Sequence, residues 1–261
     1  MRKPEIPEEY QIAIRAAVQA AKLVLGYFRT NQLETEWKAD ESPVTIADLE
    51  SSLLLTNELQ KTGIPVLSEE GGEIPYEERR KWNELWIVDP LDGTKEFIAG
   101  RKNFAINVAL VRESRPIFGV IVIPVTGEVF FGGAEFGSYT TTTEDILLEN
   151  SVKLPTEKTP RKVLVVAGGK STSKDFFEET ELVEKNYDSI EFRKVASSVK
   201  FCLMAKGQVD IYPRDYPCME WDTASGHAIL QGIGKDIYRK ETSKPLQYNK
   251  EDLYVPYFIS C

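Results

Sequence analysis

The chain has 261 residues and 42% apolar side chains, enough to bury the core of one large domain or two packed lobes, which leaves no room for intrinsic disorder. Acidic residues outnumber basic ones 41 to 32, for a net charge of −9, which argues against broad binding to nucleic acid or anionic membrane. An anionic substrate stays open, because bound cations invert the local field of an acidic site.

Cys202, Cys218 and Cys261 are odd in number and fit no zinc spacing, so they read as free thiols of a reducing cytosol. The first eleven residues are charged and broken by prolines, unlike a signal peptide. No run approaches the roughly 18 apolar residues of a membrane span.

Ile12, Ala16, Ala20, Leu23 and Tyr27 recur at helical spacing, so residues 8–29 are predicted as an amphipathic helix. A polar stretch follows, then Ser42-Pro43-Val44-Thr45, and Asp48–Leu59 reads as a second helix. Pro65-Val66-Leu67 is a short buried strand ending at Ser68-Glu69-Glu70-Gly71-Gly72. Residues 73–84 are charged and expected at the surface. Leu85-Trp86-Ile87-Val88 is a strand that delivers Asp89 at its end. The β-rich segments 104–112, 116–123 and 128–133 predict a meander. The polar stretch 149–161 contains two prolines and is the expected lobe boundary. Beyond it, strand 162–166, helix 173–186, strand 190–195, helix 198–206, strand 209–213 and helix 223–231 alternate as an α/β layer. The expectation is one cooperative unit of two lobes with a site between them.

The most informative segment runs from Trp86 to Phe97. Pro90 rules out regular helix at Asp89, and Asp92-Gly93 is strong turn chemistry. Two carboxylates three residues apart on a stiff turn can point into one small space, with the Leu91 carbonyl between them. Such hard oxygens suit Mg²⁺. Gly93-Thr94 then opens a predicted helix through Ala99, whose free N–H groups can cradle a phosphate. The plain alternatives are a surface turn at Asp92-Gly93, a cap at Asp89, a solvated acidic loop at Glu69-Glu70 and an N-cap at Asp222. Convergence of these acids in one pocket demands cations, because like charges repel strongly there.

These residues resemble the lithium-sensitive, Mg²⁺-dependent phosphatase superfamily that includes inositol monophosphatase and fructose-1,6-bisphosphatase. Its signature Asp-Pro-(Ile/Leu)-Asp-Gly-Thr matches Asp89–Thr94, and its second signature Trp-Asp-x-Ala-x-Gly matches Trp221–Gly226. The resemblance extends from about Ala13 to Leu246. Within the superfamily the chain looks closest to the CysQ-type 3′(2′),5′-bisphosphate nucleotidases. The carrying residues are Ser42–Asp48, Leu67–Glu70, Asp89–Phe97 and Ser197–Cys202, with Lys95-Glu96 as the local discriminator.

The resemblance implies an α+β fold, a layered αβαβα sandwich. The metal and phosphate lobe covers about residues 1–150, and a substrate lobe over about 151–261 contributes Asp222. It implies two or three Mg²⁺ held by Glu69, Asp89, the Leu91 carbonyl, Asp92 and Asp222. Glu70 supports a water of the metal shell, and Asp48 with Thr94 orients the attacking water. Gly93, Thr94, Ser197, Lys200 and Arg214 hold the substrate, while Lys38 matches a phosphate contact only weakly. The chain departs from the pattern at Ala196, where relatives have Gly, and at Ala167–Ser171. Those departures bear on adenine selectivity rather than on the metal centre. His227 receives no role and reads as a helix residue packed near the cleft.

The implied activity is hydrolysis of adenosine 3′,5′-bisphosphate to AMP and phosphate. The alternatives are an inositol monophosphatase or broad sugar phosphatase, and a non-catalytic nucleotide- or metal-binding sensor. A sensor is expected to have lost a ligand or the Asp48–Thr94 pair, and all are retained. The partner is a small phosphate ester, with no nucleic acid and no stable membrane insertion. A cytoplasmic monomer or homodimer is expected, free or peripheral to the inner face of the membrane.

Overall fold

The computed structural model of the chain describes residues 6–31, 34–37, 43–145, 147–155, 162–168 and 187–261. The first apolar stripe forms helix α1 (Glu8–Thr30), which buries Ala13, Ile14, Ala17, Ala20 and Val24. Strands β1 (Thr35–Trp37) and β2 (Pro43–Thr45) pair antiparallel and lead into helix α2 (Ile46–Leu59). Helix α2 starts two residues before Asp48, because the Asp48 carboxylate reaches back to the Thr45 N–H at 2.8 Å and secures the first turn.

The central layer is a seven-stranded sheet. Its order is β3 (Val66–Ser68), β4 (Glu84–Asp92), β5 (Ala105–Arg112), β6 (Arg115–Ile123), β7 (Glu128–Gly133), β8 (Gly137–Thr142) and β9 (Val152–Lys153). Strands β3 and β4 are parallel, and the rest form the predicted antiparallel meander, extended by β8 and β9. Helix α3 (Tyr76–Arg79) lies between β3 and β4, and helix α4 (Thr94–Ile98) follows β4.

Alternation along the strands builds a core on each side of this sheet. Trp86, Val88, Val108, Leu110 and Val120 pack with Ala17, Val24 and Leu55 of the first two helices. Leu85, Ile87, Ala109 and Ile121 pack with residues of the second half of the chain.

That second half supplies β10 (Val163–Gly168), parallel to β11 (Ser189–Lys194) and joined by a bridge from Val166 to Ile211. Helix α5 (Val199–Lys206) leads to β12 (Tyr212–Arg214) and β13 (Cys218–Met219). Helix α6 (Ala224–Gln231) is followed by β14 (Ile237–Arg239), β15 (Tyr254–Val255) and β16 (Phe258–Ser260). Strand β16 lies between β12 and β14, and β13 pairs with β15. A Cβ at Gly226 of α6 would stand 2.2 Å from Phe201 of α5, so that glycine is what allows the two helices to approach.

The result is a layered α+β fold: helices, sheet, helices, second sheet. The predicted helix 173–186 lies outside the described residues, as do Lys38, Gly169–Ser171 and residues 156–161 of the lobe boundary. No described helix is long and apolar enough to cross a membrane.

Two sequence expectations are corrected. Strand β4 does not stop at Val88 but runs through Pro90 to Asp92 across a register shift. The segment 73–84 is not wholly exposed, since Arg79 is buried.

Candidate metal and phosphate site

Asp89 pairs with Asn107, and Asp92 pairs with Ala105, so β4 carries one extra residue over β5. In a regular strand, residues three apart face opposite sides. The bulge absorbs the extra residue and turns both carboxylates to one side. Pro90 is tolerated there because a bulge needs no ladder donor. The Ser51 hydroxyl of α2 ties the bulge down by donating to the Pro90 carbonyl at 2.7 Å.

Asp222 comes from the second half of the chain. It closes a short 3-10 turn, Glu220–Asp222, and accepts from the Met219 N–H at 2.8 Å. One oxygen from each of Asp89, Asp92 and Asp222 lies within 4.8 Å of the other two.

Asp89 is buried; its Oδ1 accepts from the Leu91 N–H at 3.0 Å, while its Oδ2 has no hydrogen-bond partner. Burial, and then the charges of Glu69, Asp92 and Asp222, push its carboxyl well above the usual range. Burial and Asp92 push Asp222 up to about 6. An orphaned buried oxygen among crowded carboxylates fits a hard divalent cation, which these oxygens can hold.

Glu69 is half-buried just after β3, and its N–H donates to the Val88 carbonyl at 3.1 Å. Its charge bears on Asp89, although it lies outside the cluster of three. Glu70 follows on a turn closed by the Gly71 N–H to the Ser68 carbonyl at 3.0 Å, also outside that cluster. The Leu91 carbonyl faces Thr94, whose Oγ1 is 3.2 Å away.

Thr94 also donates to Asp48 Oδ1 at 2.8 Å. Asp48 Oδ2 accepts from the Thr45 N–H at 2.8 Å and the Thr45 hydroxyl at 2.5 Å. Burial raises the Asp48 pKa, and these hydrogen bonds oppose the rise. Gly93 caps α4 at φ 100°, and a Cβ there would stand 3.0 Å from the Asn103 carbonyl oxygen. Both the backbone and the space at this position demand glycine.

The expected substrate residues have less open surroundings. Ser197 takes the left-handed region at φ 54°, just before α5. Lys200 is buried, and its Nζ donates to the carbonyls of Val195 at 3.2 Å and Ser197 at 2.9 Å. Lys200 therefore holds the Ser197 loop rather than projecting as a free cation. Arg214 stacks 4.2 Å over the Tyr216 ring and donates to the Tyr212 hydroxyl at 3.2 Å.

Sequence reasoning missed Ser198 and Asn107. The Ser198 N–H donates to Asp92, its hydroxyl donates to Asn107 Oδ1 at 2.7 Å, and Asn107 Nδ2 lies 3.4 Å from Asp92. This three-residue link fixes Asp92 from both halves of the chain. His227 is buried on α6, with Nδ1 2.9 Å from the Tyr248 hydroxyl and Nε2 against Asp236. It packs inside the fold and is fully partnered.

Hard oxygen donors that could hold a metal ion thus lie on a bulged strand beside a Thr–Asp pair, an arrangement that suits metal-assisted hydrolysis. The inositol monophosphatase family model matches residues 6–255, and the chain belongs to that family. It is 34% identical to the 3′(2′),5′-bisphosphate nucleotidase CysQ of Escherichia coli, over 88% of this chain and 89% of the relative. It is 35% identical to the Haemophilus influenzae protein of the same name, over 90% of this chain and 86% of the relative. Among solved structures, CysQ from Bacteroides thetaiotaomicron, a bacterial member of the inositol monophosphatase family, superposes with a TM-score of 0.85. It has 37% identity and covers 98% of this chain and 97% of that one.

Proposed function

We propose that this chain is a Mg²⁺-dependent 3′(2′),5′-bisphosphate nucleotidase that hydrolyses the 3′-phosphate of adenosine 3′,5′-bisphosphate to give AMP and phosphate. The observation that carries this reading is identity of about a third to CysQ chains over nine-tenths of the length, joined to an intact carboxylate cluster.

Glu69, Asp89, Asp92, Asp222 and the Leu91 carbonyl would hold two or three Mg²⁺ in this reading. Cations bound there would supply Lewis-acid stabilisation of the phosphoryl oxygens and acidify a water. The protein's own residues do the orienting. Thr94 gives its single proton to Asp48, so its lone pairs accept a hydrogen bond from water and fix the direction of attack. Asp48, with its pKa raised by burial, is the stronger base for the proton that water releases. Glu70 supports the water shell. The bond formed is water oxygen to phosphorus and the bond broken is phosphorus to the 3′ oxygen; one proton of the water passes to Asp48, the 3′ alkoxide takes a proton from solvent, and Asp48 releases its own to solvent. No covalent enzyme intermediate is needed. Gly93 and Thr94 offer N–H groups to the scissile phosphate, and Ser197, Lys200 and Arg214 bear on the rest of the nucleotide.

Three free cysteines support the cytoplasmic placement. Phosphate release from adenosine 3′,5′-bisphosphate and from inositol 1-phosphate, measured across a Mg²⁺ titration, tests the assignment. A clear preference for the nucleotide is expected. Equal or greater turnover of inositol 1-phosphate returns the chain to a generic family phosphatase.

A further inference from the structure

Arg79, 3% exposed, and Glu220, 0% exposed, are buried charges outside the carboxylate site. They do not meet each other. Both grip the same short segment, Asn249–Glu251, from opposite sides.

Arg79 closes its own loop by donating from Nε to the Ile74 carbonyl at 3.1 Å. Its Nη1 donates to Asn249 Oδ1 at 2.9 Å and to the Lys250 carbonyl at 3.1 Å, and Nη2 to the Glu251 carbonyl at 3.4 Å. Asn249 returns a bond, Nδ2 to the Arg79 carbonyl at 2.9 Å. On the other side, Glu220 accepts the Asn249 N–H at 2.5 Å, the Lys250 N–H at 3.1 Å and the Lys250 ammonium. Carbonyls of the segment thus face the guanidinium, and its amides face the carboxylate. Asn249 takes φ 58°, in the left-handed region, which lets the segment present both.

The two ends of this bracket sit close in sequence to the metal-ligand candidates. Arg79 anchors the chain that leaves β3 through Glu69 and Glu70. Glu220 begins the turn that ends at Asp222. The same C-terminal stretch pairs Met219 with Tyr254 and Cys218 with Val255, and the Glu220 N–H donates to the Leu253 carbonyl at 3.0 Å. Glu69 and Asp222 come from distant parts of the chain, and both act on the charge of Asp89. The Glu69 N–H ties its loop to β4 at the Val88 carbonyl, while Asp222 ends a turn outside the sheets, so the bracket adds a second tie between the Glu69 loop and the Asp222 turn.

We propose that Arg79, Asn249 and Glu220 are positioning residues that set the spacing between the Glu69 loop and the Asp222 turn, and through it the affinity for the divalent cation. This rests on the reading of the site as a cation site. A bracket that served folding alone would change stability without changing cation affinity. Outer partners that orient ligands typically change metal affinity about 10- to 100-fold when removed.

Asn249→Gly is the cleanest variant. It keeps the left-handed backbone and every main-chain bond of the segment, and removes only the side-chain link to Arg79. Glu220→Gln keeps one of the two acceptor oxygens, turns an NH2 toward the donors of the other, and removes the charge. Mg²⁺ binding is measured by titration calorimetry on the substrate-free protein, beside the Mg²⁺ midpoint of activation, kcat at saturating Mg²⁺, and the unfolding midpoint in chelator. Both variants should bind Mg²⁺ about tenfold more weakly, with the activation midpoint shifted equally and kcat recovered at saturation. Should Glu220→Gln fail to fold, Asn249→Gly decides alone. Unchanged Mg²⁺ affinity in a folded Asn249→Gly overturns the bracket while leaving the site reading intact. A wild-type protein that binds no Mg²⁺ overturns the site reading and the bracket with it.

Discussion

The Thr94 hydroxyl donates to Asp48 Oδ1 at 2.8 Å, across 46 residues of sequence. Thr45 occupies the other Asp48 oxygen, so the carboxylate faces Thr94 in one orientation. Each residue is useless for directing water without the other. Thr94→Ala and Asp48→Asn should each lower turnover about 10²- to 10⁴-fold, the range of general-base assistance. Because the two act as a unit, the double variant should be little worse than the weaker single one. Mg²⁺ affinity should hold steady. Asp48→Asn also weakens the start of α2, by about 1 kcal/mol, which an unfolding curve separates from the kinetic effect. Losses that multiply in the double variant would contradict the pairing.

Asp89→Asn should abolish Mg²⁺-stimulated activity and raise the stability of the metal-free protein. The amide oxygen can keep the Leu91 N–H bond. The amide nitrogen then occupies the orphaned Oδ2 position and donates toward the crowded carboxylates instead of repelling them. Removing one charge from a buried like-charge cluster should stabilise by roughly 1 kcal/mol or more. Urea unfolding in chelator measures this. Mg²⁺ should raise the midpoint of the wild type and leave the variant unmoved, since only the first has a cation site to link to folding.

The acids of the site were legible because strand, proline and turn chemistry converge on Asp89–Thr94, and the matching signatures tie Asp222 to them. The bulge was not, since the pattern Trp86–Val88 ends the apolar run at Asp89 and gives no sign that pairing continues. Ser198 and Asn107 were invisible for a different reason: their partnership spans 91 residues, and both look like ordinary polar side chains. Arg79 was read as surface because the charged run 73–84 masks a guanidinium whose acceptors lie 170 residues away. Burial of a charge by distant backbone leaves no local periodicity to detect. Lys200 and Arg214 were found by resemblance, yet their packing against carbonyls and tyrosines could be learned only from the fold.

Arg214 is the better candidate of those two for reading the substrate beyond its scissile phosphate. Its guanidinium lies flat on Tyr216 and bonds the Tyr212 hydroxyl, which holds its plane without neutralising its charge. A charge-assisted contact with a second phosphate contributes roughly 1.5–3 kcal/mol. Arg214→Ala should therefore cut kcat/KM for adenosine 3′,5′-bisphosphate about 10- to 100-fold, and for inositol 1-phosphate far less. Parallel kinetics on the two substrates give the ratio. Equal losses assign Arg214 to the packing of β12.

Lys200 carries the pH dependence that its burial dictates. Its pKa is lowered from 10.5 to about 8, chiefly by burial and also by Arg214, while Asp92 and Asp222 work in the opposite direction. In the unfolded chain the ammonium keeps its ordinary pKa, so between about 8 and 10.5 the unfolded state binds the extra proton. Stability therefore rises with pH across that window, by up to about 3 kcal/mol from this group. Below pH 8 both states are charged, and the desolvation cost stays in full. A neutral amine still has two hydrogens, so both carbonyl bonds to the Ser197 loop survive deprotonation. Lys200→Gln has no proton to lose and should lack the rise. Urea unfolding of both proteins in chelator, at pH 7.5 and pH 10, isolates the effect as a difference that cancels the other lysines and tyrosines. The wild type should gain on the variant at the higher pH. A constant difference across the window means that Lys200 keeps an ordinary pKa and reaches solvent.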